Sequence, residues 1–180
     1  MSNPKYLIDT NIFVRFQSGQ QYDKSCFPTH FENFIKLIEN GEAISIDKVK
    51  NELNDDFFST EYEDIFMPSI TNDLSETYNN LRSKYPDYFN YYALENPEDA
   101  DPYLITYAYH NDLCIVTQDE FHSTQSRNST IRNMNIPTLC DLLGAVCIDN
   151  KDNKDKINEY KSGFACICFT ELIRIENLMK

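Results

Sequence analysis

Glycine is scarce in this chain, and tryptophan is absent from it. The four glycines, at positions 19, 41, 144 and 163, are too far apart to form GxGxxG or GxxxxGK[S/T]. Those motifs need closely spaced glycines because the backbone must approach a phosphate group closely. The sequence therefore excludes a Rossmann-type dinucleotide site and a P-loop.

Long apolar runs are also missing. No apolar stretch reaches the roughly 20 residues of a membrane-spanning helix, and the N-terminus lacks the basic and apolar segments of a signal peptide. We therefore predict a cytoplasmic protein with no membrane contact. The six cysteines should then be reduced, and most of them lie within apolar runs, where cysteine acts as a small buried hydrophobe. Cys166 and Cys168 could share a strand face, but a second cysteine pair at zinc-finger spacing is lacking.

Basic residues are outnumbered, with 16 Lys and Arg against 29 Asp and Glu, which gives a formal net charge of −13. General adhesion to nucleic acids depends on neutralising phosphates. A nucleic-acid substrate would therefore need a local basic patch, a partner protein, or divalent cations that cover the acidic groups.

Short apolar stretches that alternate with helical patterns indicate the fold. Strands are predicted over 5–8, 43–46 and 113–117, and helices over 69–85 and from Asp101-Pro102 onwards, with Asp101 as the cap. This alternation predicts a three-layer α/β/α sandwich with a mostly parallel sheet. Residues 1–180 are expected to form one domain with a charged insertion at about 149–161. Segments 146–148 and 165–169 compete for the final core strand.

Four acids fall at related places in this pattern. Asp9 follows the first strand, Glu52 lies in the helix after the second, Asp101 opens a helix, and Asp119 follows the strand over 113–117. These places can converge at one edge of a parallel sheet, where ligands of α/β folds bind. Clustered carboxylates repel one another unless cations lie between them, and oxygen ligands suit Mg²⁺ or Mn²⁺. Taken singly, Asp9 and Asp101 could be helix caps, Glu52 a solvated helix acid, and Asp119 a loop acid.

The order of these motifs resembles the PIN-domain family, and within it a PIN-like branch of uncharacterised prokaryotic proteins (DUF4411-like) related to VapC-type toxin ribonucleases. The matching segments are 6–13, 49–53, 100–108, 115–119 and 136–140. The resemblance implies an endoribonuclease that depends on Mg²⁺ or Mn²⁺ and hydrolyses RNA. It also implies a cognate antitoxin protein, because toxins of this family are commonly held inactive by one.

The resemblance also assigns residues. Its catalytic and metal-binding acids match Asp9, Glu52, Asp101 and Asp119, and its supporting polar residues match Asn11 and Thr117. Thr117 would hydrogen-bond a water bound to the metal. Such sites can clamp a phosphodiester between two ions without a nucleophilic side chain.

Contacts with the substrate are less strongly indicated. The candidate phosphate contacts are Arg15, Lys48, Lys50, Arg127 and Arg132. The tyrosine-rich stretch over 85–92 could stack on bases, but core packing, or an interface with an antitoxin or a second copy of the chain in a homodimer, is favoured.

Two other functions stay open. A catalytically silent PIN-fold protein would bind a partner without cleaving it. A metal-dependent phosphohydrolase would use Asp9 as its nucleophile, but the haloacid-dehalogenase pattern requires a second Asp where this chain has Asn11.

Overall fold

The computed structural model describes residues 3–54, 57–120, 135–147 and 163–179, which form a parallel sheet with helices on both faces. The strands are β1 (Tyr6–Ile8), β2 (Ala43–Ile46), β3 (Phe66–Met67), β4 (Cys114–Thr117), β5 (Val146–Cys147) and β6 (Ala165–Cys168). The helices are α1 (Thr10–Arg15), α2 (Pro28–Glu39), α3 (Asp47–Leu53), α4 (Phe57–Glu61), α5 (Asn72–Lys84), α6 (Pro86–Glu95), α7 (Asp101–Asn111), α8 (Ile136–Leu142) and α9 (Phe169–Ile175). The predicted three-layer α/β/α sandwich is confirmed.

The order of the strands across the sheet is β3-β2-β1-β4-β6-β5, and all the pairings are parallel. Strands β1, β2 and β4 are buried along their whole length, which explains their nearly continuous apolar sequences. The chain builds the sheet outwards from β1 to β3, then returns to place β4 on the other side of β1. In open α/β sheets, ligands bind at the carboxyl ends of the strands where the order reverses in this way.

Both candidates for the final strand are strands, but they have different places. Segment 165–168 lies between β4 and β5 and pairs with β4 over four residues, from Cys114↔Ala165 to Thr117↔Cys168. Val146 and Cys147 form the half-buried edge strand. The core strand is therefore β6. The insertion predicted at about 149–161 lies outside the described residues.

The region over 57–95 contains more structure than its sequence predicts. It holds α4, the edge strand β3 and the helix α6. Pro86, predicted to end a helix, also begins α6, because a helix tolerates proline in its first turn. Tyr88 and Phe89 then pack into the core. These residues are adjacent, so the sequence shows no helical spacing there.

An aromatic cluster fills one part of the core around Phe16. Its ring lies 5.0 Å from that of Phe34 and 5.4 Å from that of Phe169, measured between centroids. None of the six cysteines forms a disulfide, and Cys114, Cys140 and Cys166 are buried, as predicted for small hydrophobes. Cys147 and Cys168 are half-buried, and Cys26 is exposed. Among the described helices, none has the length and apolar character needed to cross a membrane.

Candidate active site

A cleft of about 480 Å³ opens beside the carboxyl ends of β1 and β4, where the strand order reverses. It is lined by Asp9, Thr10, Asn11, Val14, Arg15, Gln20, Glu52, Asp99, Asp101 and Asp119. The four acids predicted from the sequence therefore share one cleft, and Asp99 joins them.

Asp9 is the most buried of these acids, with 4% of its surface exposed. It occupies the position before α1, but its side chain makes no capping hydrogen bond. Its Oδ2 instead accepts a hydrogen bond of 2.7 Å from the hydroxyl of Thr117. Burial, together with the charges of Asp119 and Glu52, raises the pKa of Asp9 to about 7, and the bond from Thr117 opposes this rise. Asp9 therefore occupies the cap position of α1, but its side chain is directed to Thr117 and does not cap the helix.

Thr117 and Asn11 connect the acids across β1 and β4. The hydroxyl of Thr117 accepts hydrogen bonds from Asn11 Nδ2 at 3.2 Å and from the backbone N–H of Asp119 at 3.1 Å. Asn11 Nδ2 also lies 3.5 Å from Asp119 Oδ1, and Asn11 Oδ1 accepts from the backbone N–H of Gln118. The hydroxyl of Thr117 itself donates to Asp9, so Thr117 orients that carboxylate.

Asp101 has a different local role from the one predicted. The residue before α7 is Ala100, Asp101 makes no cap, and its backbone N–H donates to Asp99 Oδ1 at 3.0 Å. The prediction of Asp101 as a helix cap is therefore wrong, and Asp99 satisfies this N–H. Asp101 Oδ2 accepts a hydrogen bond of 3.1 Å from the hydroxyl of Tyr92. Burial, reinforced by the charges of Asp9, Asp99 and Asp119, raises the pKa of Asp101 well above its usual value.

Glu52 joins three helices at the site. Its Oε1 accepts from the backbone N–H of Ala100 at 2.8 Å, and its Oε2 accepts a short hydrogen bond from the hydroxyl of Thr10. Glu52 is half-buried, so it is not a freely solvated helix acid. Its carboxylate ties α3 to the starts of α1 and α7.

Neutral groups donate the hydrogen bonds described for the four acids. Hydroxyls donate to Asp9, Glu52 and Asp101, a backbone N–H also donates to Glu52, and the amide of Asn11 donates to Asp119. Such donors orient a carboxylate without bringing a positive charge to it.

Carboxylate and amide oxygens are the donors that Mg²⁺ and Mn²⁺ prefer, so the chemistry of the cleft fits a hard divalent cation. The carboxylates of the cleft do not surround one common position. Over the described part of the chain, no three carboxylates, thiols or imidazoles are grouped so that they could already hold a metal ion.

The predicted basic residues are distributed unevenly. Arg15, in the last turn of α1, lines the cleft. Lys48 instead forms an ion pair of 3.0 Å with Glu98, and its Nζ lies 5.1 Å from the ring centroid of Tyr103. Lys50 is paired with Glu63. Arg127 and Arg132 lie outside the described residues.

Two hydroxyl donors of the site, Thr10 and Tyr92, were not predicted from the sequence. Thr10 could have been noticed as the residue directly after Asp9, since side chains that follow a strand gather at the same sheet edge. Tyr92 lies nine positions before Asp101 on another helix. Only the packing of α6 brings them together, so no motif spacing could have predicted the contact.

The chain belongs to a family described as a domain of unknown function, DUF4411, whose sequence profile matches residues 6–155. The matched range includes all five acids that line the cleft. No curated protein and no solved structure gave a significant match.

Proposed function

We propose that this protein is a divalent-metal-dependent endoribonuclease of the PIN type, acting in the cytoplasm as the toxin of a toxin–antitoxin pair. One observation carries the proposal. The acids Asp9, Glu52, Asp101 and Asp119, far apart in sequence, line one cleft at the reversal point of a parallel sheet. Burying charges that repel one another is costly unless something compensates for it.

A bound divalent cation supplies that compensation, together with an activated water and charge stabilisation for phosphodiester hydrolysis. Asp9, Glu52, Asp101 and Asp119 are the residues that would hold it. The chain's own contribution is to orient them. Thr117 fixes the Asp9 carboxylate, and Asn11 links Thr117 to Asp119.

The test is cleavage of total RNA by the purified protein in Mg²⁺, in Mn²⁺ or in EDTA, compared with Asp9→Asn. We expect cleavage only with metal, and a rate at least about 100-fold lower in Asp9→Asn, because even residues that merely support metal ligands contribute about 10–100-fold. Metal-dependent cleavage that Asp9→Asn retains would contradict the assigned site. If the wild-type protein cleaves no RNA and also fails to bind Mn²⁺ by calorimetry, the metal-dependent nuclease is excluded.

Arg15 is the proposed phosphate contact, since it alone carries a positive charge among the described residues that line the cleft. We expect Arg15→Ala to raise KM for RNA about tenfold with little change in kcat. The slope of the logarithm of the association constant for RNA against the logarithm of the salt concentration should become shallower by about one. This is the change expected for the loss of a single phosphate contact. Cleavage assays between low and moderate salt would measure both quantities.

Lys48→Ala is the matched control for Arg15→Ala. Lys48 forms an ion pair with Glu98 and does not line the cleft. Its removal should therefore leave both KM and the salt dependence of RNA binding unchanged. Equal effects of the two substitutions would show that general charge, rather than a contact in the cleft, governs RNA binding.

A second candidate, a catalytically silent binding protein, is favoured by one observation. Both oxygens of Glu52 already accept hydrogen bonds from protein groups, as expected of a structural carboxylate. The Mn²⁺ calorimetry described above separates the two functions, since a silent binding protein has no need to take up the ion.

A further inference from the structure

The tyrosine-rich stretch on α6 has a direct connection to the acidic cleft. Tyr92 does not line the cleft, but its hydroxyl donates a hydrogen bond of 3.1 Å to Asp101 Oδ2. The ring of Tyr92 is held by Tyr88, with 4.7 Å between the ring centroids, and Tyr88 is 1% exposed. The ring that carries the donor is therefore packed against a core side chain.

We propose that Tyr92 is a positioning residue for the metal ligand Asp101: its hydroxyl holds Oδ2 and leaves Oδ1 to face the cleft. The inference rests on the proposed metal-dependent function. It assigns to α6, whose aromatic residues were expected to serve core packing or an interface, a part in shaping the site.

The choice of tyrosine suits this role. A lysine or arginine at position 92 would orient the carboxylate equally well, but its positive charge would compete with a metal cation for Asp101. A phenol donates one hydrogen bond and remains neutral. The ordinary pKa of a phenol is about 10, so the hydroxyl is protonated and can donate at physiological pH.

The same arrangement recurs at the other acids, which supports its functional importance. The Asp9 carboxylate is held by the hydroxyl of Thr117, and that of Glu52 by the hydroxyl of Thr10. Each carboxylate is thus oriented by an uncharged side chain, which brings no positive charge that would compete with a cation. Supporting hydrogen bonds of this kind orient metal ligands and raise their affinity for the ion.

The test compares Mn²⁺ binding by wild-type protein, Tyr92→Phe and Tyr91→Phe, using calorimetry for the dissociation constant and electron paramagnetic resonance for the environment of the ion. Phenylalanine keeps the ring that packs against Tyr88, so the fold should be retained. Tyr91 is the neighbouring residue on α6, is 40% exposed, and packs its ring against Tyr92. It controls for loss of a hydroxyl and for altered ring packing.

We expect Tyr92→Phe to bind Mn²⁺ about 10–100-fold more weakly and with an altered spectrum, as for other residues that support metal ligands. Tyr91→Phe should match the wild-type protein in both measurements. If Tyr92→Phe binds Mn²⁺ with wild-type affinity and spectrum, the positioning role is overturned while the metal site stands. Equal weakening in the two variants also overturns it. If wild-type protein binds no Mn²⁺, both this inference and the proposed metal-dependent function are overturned.

Discussion

In EDTA at about pH 7.5, Asp9→Asn is expected to be more stable than the wild-type protein, although it should have lost its nuclease activity. Asp9 is almost completely buried, and its pKa is raised from 3.8 to about 7. At about 1.4 kcal/mol per pH unit, ionising it in the folded protein costs up to about 4 kcal/mol. Asparagine removes this cost and can still accept the hydrogen bond from Thr117. Urea denaturation at equilibrium would measure the difference.

The gain should disappear at low pH, because below about pH 3 Asp9 is protonated in both the folded and the unfolded chain. Asp23→Asn is the matched control, since the Asp23 carboxylate accepts hydrogen bonds from the backbone N–H groups of Gly19 and Ser25, which lower its pKa. That substitution should destabilise the protein at neutral pH. If Asp9→Asn were also destabilising in EDTA, Asp9 would be a structural residue rather than a strained functional one.

This expected opposition of stability and activity is a physical sign of a functional site. A residue selected for the fold alone would not be placed where its charged form is penalised by burial and by neighbouring acids. Proteins tolerate such strain where activity requires it. The hydrogen bonds of Glu52 are the counterexample within the same cleft, because they stabilise the fold as well as orienting an acid.

The sequence was sufficient to predict the sheet edge at which the site lies. Asp9 and Asp119 follow buried apolar strands, and the geometry of parallel sheets requires side chains in such positions to meet. Asn11 and Thr117 could be placed for the same reason. Their local neighbours in the chain determine where they lie, so little depended on distant packing.

Other features depend on tertiary contacts that leave no periodic pattern. Strand β3 is two residues long and forms because it pairs with β2. Helix α6 has its buried residues Tyr88 and Phe89 side by side. Asp101 was predicted as the cap of α7, but its own backbone N–H donates to Asp99, a second acid close enough to the same helix start. Only the backbone geometry distinguishes them.

Raising the pH from about 5 to about 7 is expected to destabilise the metal-free protein, and Mn²⁺ is expected to cancel this loss. Asp9 releases its proton at about 3.8 in the unfolded chain but at about 7 in the fold. Between these values the folded state binds more protons, so the free energy of unfolding falls as the pH rises. Asp101, whose pKa is also raised, acts in the same direction. Urea denaturation across this range, with EDTA or with Mn²⁺, would measure the slopes.

Mn²⁺ should reverse the trend because it binds the ionised carboxylates and so binds more tightly as they lose protons. At about 100 times its dissociation constant it should add about 2.7 kcal/mol to the free energy of unfolding. Histidines titrate in the same pH range, so Asp9→Asn is the necessary control. In EDTA, its free energy of unfolding should fall less steeply with pH than that of the wild-type protein. Mn²⁺ should also stabilise it much less. An equal slope with and without Mn²⁺ would mean that the buried acids are not relieved by a cation. The clustering of four carboxylates would then need another explanation than metal binding.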